Sequence, residues 1–160
     1  MFKGVRFKFC LFFAFTFTHL TFFTNADVYF ADPVKSVVSF DIGQFKLDRV
    51  KGFFQAYTII MNYDEANGVI NTVEAKIDVN SVLSGNSIRD RHLSSAKFFD
   101  IINYPDMYFV VQDVHDIKTS QISGDITIKD VTQPISIAYT LTEVAEDGID
   151  FIIVDTSFQI

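Results

Sequence analysis

The sequence predicts an all-β protein: an antiparallel sandwich or barrel of seven or eight strands, with one short helix between strands. Three observations carry the prediction. Apolar and polar residues alternate with a period of two over most of the chain after Ala26, the pattern of strands with one buried and one wet face. Turn residues recur at fairly regular spacing, at Asp32-Pro33, Asp64 to Gly68, Lys129 to Pro134 and Glu146-Asp147-Gly148, which favours antiparallel over parallel sheets. The alternation lapses once, from Ser81 to Phe109, and a helix signal stands there.

The first 26 of the 160 residues have a different character. Lys3, Arg6 and Lys8 make a basic start, Phe9 to Phe23 is almost wholly apolar, and Thr24-Asn25-Ala26 ends on a small residue. This is the form of a secretory signal peptide cut after Ala26, with residues 27–160 as the mature domain. The apolar run falls short of the roughly 20 residues a membrane-spanning helix needs. The cut would remove three of 13 basic residues and no acid, leaving ten against 20 and a formal net charge of −10. Such a surface repels nucleic acid and anionic headgroups. Cys10 leaves with the leader, so the expected mature chain has no thiol, disulfide or Cys metal ligand.

Val28 to Ala31 reads as a short strand, and Ser36 to Ile42 as a second with Val38, Phe40 and Ile42 on one face. Val50 to Tyr63 is long: Val50, Gly52 and Phe54 share one phase, while Tyr57, Ile59, Met61 and Tyr63 share the other. Both sets face one core only if a bulge falls near Gln55-Ala56. At about 3.3 Å per residue a strand of this length suits a sheet that bends around a barrel. Asn67-Gly68 suits a hairpin, and then Val73, Ala75, Ile77 and Val79 alternate with Glu74, Lys76, Asp78 and Asn80. Met107, Phe109 and Val111, then Ile122, Gly124, Ile126 and Ile128, then Ile135, Ile137, Tyr139 and Leu141 repeat the pattern. Ile149 to Ile160 is a last strand.

Candidate chemistry is sparse. Ser87 stands three residues before Asp90 in the form of a capping box, opening a helix that places Leu93 and Ala96 on one face. Arg89, Asp90, Arg91 and His92 have the residue types of an acid-base cluster, but no nucleophile stands at a useful spacing, and a loop-fixing role is the simpler reading. Asp113 and His115 share a strand face from which Asp116 points away, too few ligands to hold a metal. Neither catalysis nor a metal or other cofactor is expected. Ten phenylalanines and six tyrosines follow Ala26. They fill a core, or they line the bore of a barrel wide enough for one slender ligand.

Several ordered motifs resemble one family. Ser81-Val82, Arg89-Asp90-Arg91-His92-Leu93, Ser95, Phe98-Phe99-Asp100, Tyr104-Pro105 and Phe109 are similar to the signature of the YceI-like, polyisoprenoid-binding proteins. Asp32 and Ser36, Val50, Gly52 and Phe54, Ile122-x-Gly124-x-Ile126-Thr127-Ile128 and Val131-Thr132-x-Pro134 agree in order, so the resemblance runs from Asp32 to Leu141. Lys35 stands where the family usually has histidine, and Asp130 where a turn glycine is common.

The resemblance implies a lipocalin-like periplasmic barrel that binds an isoprenoid lipid, a quinone or polyprenyl chain, as a carrier or sequestering protein. The alternative is a structural or stress-response partner whose barrel is filled by its own side chains. Inward apolar positions supply the expected lining: Phe40, Phe54 and Tyr57 on the early strands, and Ile77, Phe109, Ile126, Ile137 and Tyr139 on the later ones. Leu93, Phe98 and Phe99 follow from the helix. The family also carries an Arg-x-Asp-Phe-Gly segment and a final strand beyond the position of Ile160. Without that strand a sheet edge is open, an invitation to pair with a second copy.

Overall fold

In the computed structural model, residues 5–14, 27–44, 48–111, 115–146 and 149–159 are described. The strands are β1 (Val5–Ala14), β2 (Asp27–Ala31), β3 (Val37–Gln44), β4 (Asp48–Phe54), β5 (Tyr57–Asp64), β6 (Val69–Asp78) and β7 (Val82–Leu83). After the helix α1 (Ser87–Ser94) come β8 (Asp106–Val111), β9 (His115–Asp116), β10 (Gln121–Ile128), β11 (Val131–Glu146) and β12 (Ile149–Gln159). Every pairing is antiparallel. The sheet returns on itself along β1, β12, β11, β10, β8, β6, β5 and β2, which pairs β1 again. It is an antiparallel barrel with one short helix, the one of the two architectures left open by the alternation that the family resemblance implies.

The long early strand is bent where its phase changes. β4 ends at Phe54 and β5 begins at Tyr57. Between them Gln55 N–H donates to the Ser81 carbonyl at 3.2 Å and Ala56 N–H to Ser81 Oγ at 2.9 Å, so the corner keeps its backbone hydrogen bonds. Phe54, Ile59, Met61 and Tyr63 all face the core. β2 and β3 bend alongside, where the Asp32 carboxylate accepts from the Val34 and Lys35 amides. Gly68 closes the β5–β6 hairpin at φ +64°, a conformation glycine adopts without steric cost.

Among the described residues the structure has twelve strands, several of them short, where seven or eight are expected. Val50 to Tyr63 is two strands, β4 and β5, in place of one strand with a bulge near Gln55-Ala56, the register irregularity of β5 falling between Asn62 and Tyr63. Two further features differ from the sequence reading. The turn expected over Lys129 to Pro134 is only Lys129 and Asp130, because Ile128 already pairs with Val131. Pro134 lies inside β11, and it is tolerated there because β12 pairs β11 only from Tyr139 onward, leaving that edge without a ladder. The backbone of Val5–Ala14, within the expected leader, forms β1 and lies between β12 and β3. The edge expected to be open is occupied by this strand.

Candidate functional site

The barrel interior divides along β4–β5. Phe54 comes first, then Ile59 and Met61, then Tyr63. Around Phe54 the rings of Phe40, Phe54 and Phe99 form a mutual triad, with centroids 5.3, 5.7 and 5.8 Å apart and both Phe99 contacts near edge-on. Gly52 makes room for it, since a Cβ there would overlap the Phe40 ring and stand 2.9 Å from the Leu83 carbonyl oxygen.

The barrel core also holds a cavity of about 60 Å³. It is lined by Ile59, Met61, Ile70, Val73, Ala75, Phe109, Ile122, Ile137, Tyr139, Val154 and Thr156. The hydroxyl of Thr156 donates to the Ala138 carbonyl at 2.8 Å. At the far end Tyr63 donates to Glu143 at 3.2 Å and Tyr29 to Glu65 at 2.5 Å. Burial, reinforced by Glu143, pushes the Tyr63 hydroxyl up to about 12. Tyr29 is raised further, by burial and then its bond to Glu65. Tyr139 is raised by burial and then by Asp116, and its buried hydroxyl alone among the described residues has no hydrogen-bond partner.

An open cleft of about 360 Å³ lies between α1 and strands β3 and β4. Ile42, Val50, Leu93 and Phe98 form its apolar floor, and Asn86, Ile88, Arg89 and His92 its rim. The charged quartet fastens this helix. Asp90 accepts from the Ser84 amide and hydroxyl, and Arg89 donates to Ser84 Oγ at 2.7 Å and to the Ser84 carbonyl at 2.5 Å. His92 packs edge-on against Phe98 at 4.9 Å. The cap is Asn86 and not Ser87: its side chain accepts from the Ile88 and Arg89 amides at 3.0 and 3.1 Å. The helix ends at Ser94, so Ala96 is exposed and does not share the buried face of Leu93.

Of the lining residues expected from alternation, Phe109, Ile137 and Tyr139 border the cavity, and Leu93 and Phe98 border the cleft. Phe40, Phe54 and Phe99 pack on one another in the core and border neither space. Ile77 and Ile126 are packed in the core and border neither. Tyr57 is half-buried at the corner, where its hydroxyl donates to the Ser36 carbonyl at 2.6 Å. Ile59, Met61 and Val154 also line the cavity; the same alternation, carried one position further along each strand, identifies them. Asp113 lies outside the described residues, and among those described no cluster of three metal-ligating side chains occurs.

Residues 29–160 match the YceI-like domain. The chain belongs to the YceI-like family. Within it, the chain is 29% identical over 112 residues to a UPF0312 protein of Pseudomonas savastanoi pv. phaseolicola, covering 69% of this chain and 58% of that one. It is 30% identical over 122 residues to a UPF0312 protein of Vibrio cholerae, covering 74% and 65%. The chain thus spans about three-fifths of the length of the curated relatives it matches. A crystal structure of the Campylobacter jejuni YceI protein superposes with a TM-score of 0.63 at 27% identity, over 72% of this chain and 70% of that one. Burkholderia cenocepacia BcnA shares the fold, with a TM-score of 0.64 at 16% identity over 80% of this chain and 99% of that one.

Proposed function

We propose that the chain binds an isoprenoid lipid, a quinone or polyprenyl chain, as a periplasmic carrier or sequestering protein and not as an enzyme. The observation that carries this reading is the apolar cavity inside the barrel, lined among others by Ile59, Met61, Val73, Phe109, Ile137 and Val154. Each methylene buried is worth about 0.8 kcal/mol, so a chain of several isoprene units gains affinity from contact alone. The quartet Arg89, Asp90, Arg91 and His92 is a fastening of the helix in this reading. The test is organic extraction of the purified protein followed by mass spectrometry. Recovery of an isoprenoid at near-stoichiometric amount supports the proposal; protein that is consistently empty and ignores added isoprenoids refutes it.

The second reading, a barrel filled by its own side chains, has its own observation. A cavity of about 60 Å³ is well below the roughly 300 Å³ at which ligand pockets begin. Lipid binding therefore requires core side chains, the triad of Phe40, Phe54 and Phe99 in this reading, to move. Solution order parameters of these rings with and without added isoprenoid separate the two readings.

Export belongs to the same proposal. The segment ending at Ala26 is the leader, and β1 leaves with it. Loss of β1 opens the edges of β12 and β3, where a second copy pairs. Mass spectrometry of the periplasmic protein reads the cut, and light scattering of chains with and without residues 1–26 reads the association.

A further inference from the structure

The chain carries 20 acidic and 13 basic residues, yet no carboxylate among the described residues borders the open cleft between α1 and strands β3 and β4. Its apolar floor is Ile42, Val50, Leu93 and Phe98, and both ionisable groups on its rim, Arg89 and His92, are basic. The cleft is a local exception to the acidic balance of the chain. At about 360 Å³ it falls within the roughly 300–1,000 Å³ typical of ligand pockets, a size the core cavity does not reach. The two spaces share no lining residue.

The basic groups of the rim keep donors in reserve. Arg89 uses Nε on the Ser84 hydroxyl and Nη2 on the Ser84 carbonyl, which holds the guanidinium in place and leaves Nη1 without a partner among the described residues. Its neighbour Asp90 is occupied, accepting from the Ser84 amide and hydroxyl. Asp41 and Arg49, which stand next to Ile42 and Val50 in sequence, satisfy each other at 3.0 Å. His92 packs its ring edge-on against Phe98 at 4.9 Å, and among the described residues neither ring nitrogen takes part in a hydrogen bond. An imidazole keeps at least one N–H donor whether neutral or charged, and a guanidinium is always charged. An anion at this rim gains charge-assisted hydrogen bonds. A hydrocarbon chain attached to it covers Val50 and Phe98, both half-buried, at about 0.8 kcal/mol for each methylene buried.

We infer that the cleft is a binding site, separate from the barrel cavity, for an amphiphile with a hydrocarbon chain and a single anionic head, a carboxylate or a phosphate, received by Arg89 and His92. It does not rest on the isoprenoid reading of the barrel.

The test titrates the full chain with decanoate, decyl phosphate and decanol in a calorimeter. The preferred anion is expected to bind at least about fivefold more tightly than decanol, since a hydrogen bond to a charged group is worth more than one between neutral groups. Whichever of decanoate and decyl phosphate binds more tightly names the head. Ile88 is 76% exposed on the rim, so Ile88→Gln and Ile88→Glu keep the fold and differ by one charge. That anion is expected to bind Ile88→Glu at least about threefold more weakly than Ile88→Gln at low salt, with decanol unchanged between them. His92→Phe keeps a ring against Phe98 and removes the donor, and is expected to weaken the anion about threefold or more while sparing decanol. Equal anion affinity in Ile88→Gln and Ile88→Glu overturns the site, as does equal affinity in parent and His92→Phe, or decanol binding the parent as tightly as the anions. Failure of both anions to bind the parent also overturns it, and leaves the isoprenoid reading to its own test by extraction.

Discussion

Replacing Phe99 with alanine attacks the centre of the phenylalanine triad. The ring is 2% exposed and makes near edge-on contacts with Phe40 at 5.8 Å and Phe54 at 5.7 Å. Burial of a phenylalanine contributes about 1.5–3 kcal/mol, and each aromatic pair about 0.5–1.5 kcal/mol beyond that. Together these predict a loss of about 3–5 kcal/mol, the range measured for large-to-small core substitutions. Urea unfolding followed by circular dichroism reads the loss directly. A change below about 1 kcal/mol would refute the close packing on which the figure rests, because an uncompensated void of this size is not free. The same variant leaves a void in the apolar core, so farnesol affinity should rise while stability falls if the lipid enters there. A fall in both would make Phe99 a ligand contact.

Gly52→Ala should destabilise by about 1–3 kcal/mol, as overpacking does, since its Cβ would overlap Phe40. Phe40→Leu in the same chain should recover part of that loss, and a double-mutant cycle in urea measures the coupling. Asn86→Ala removes the cap of α1 and should cost about 1 kcal/mol, lowering the thermal midpoint by about 2–4 °C for a chain of this size. Alkaline pH should weaken the fold. Burial and Glu143 raise the folded-state value of Tyr63 to about 12, above the unfolded value of about 10. Stability is therefore complete below about pH 10 and lost as pH rises toward 12. Thermal midpoints across that window read the loss, and Tyr63→Phe should reduce it.

The fold was largely legible because burial imposes a period of two. The phase change between Phe54 and Tyr57 required a corner, and Ser81 supplies the hydrogen bonds that make one. The helix start was legible only to within one residue, since Asn86 and Ser87 are both capping residues and sequence alone does not say whose side chain turns back. The occupancy of the edge by Val5–Ala14 was not legible. A run rich in phenylalanine has the composition of a leader core and of a buried strand alike. Inward positions such as Phe109, Ile137 and Tyr139 were visible from alternation, but the division of the interior was not. It depends on Phe40 fitting over Gly52 and on Phe99 returning from beyond the helix, both contacts across long stretches of chain. The lack of a partner for Tyr139 is a property of three-dimensional surroundings and leaves no trace in local pattern.

The place of β1 also bears on the order of assembly. Its ladder with β12 pairs Arg6 with Gln159 and Ala14 with Phe151, joining the first described strand to the last. In the uncut chain β1 meets β3 early in synthesis, while its second edge waits for nearly the whole polypeptide. Closing so large a loop is entropically costly, and non-local pairings of this kind slow folding. The β1–β12 seam is accordingly the last part of the barrel to form. Until it does, one face of an aromatic-rich strand stays open to aggregation.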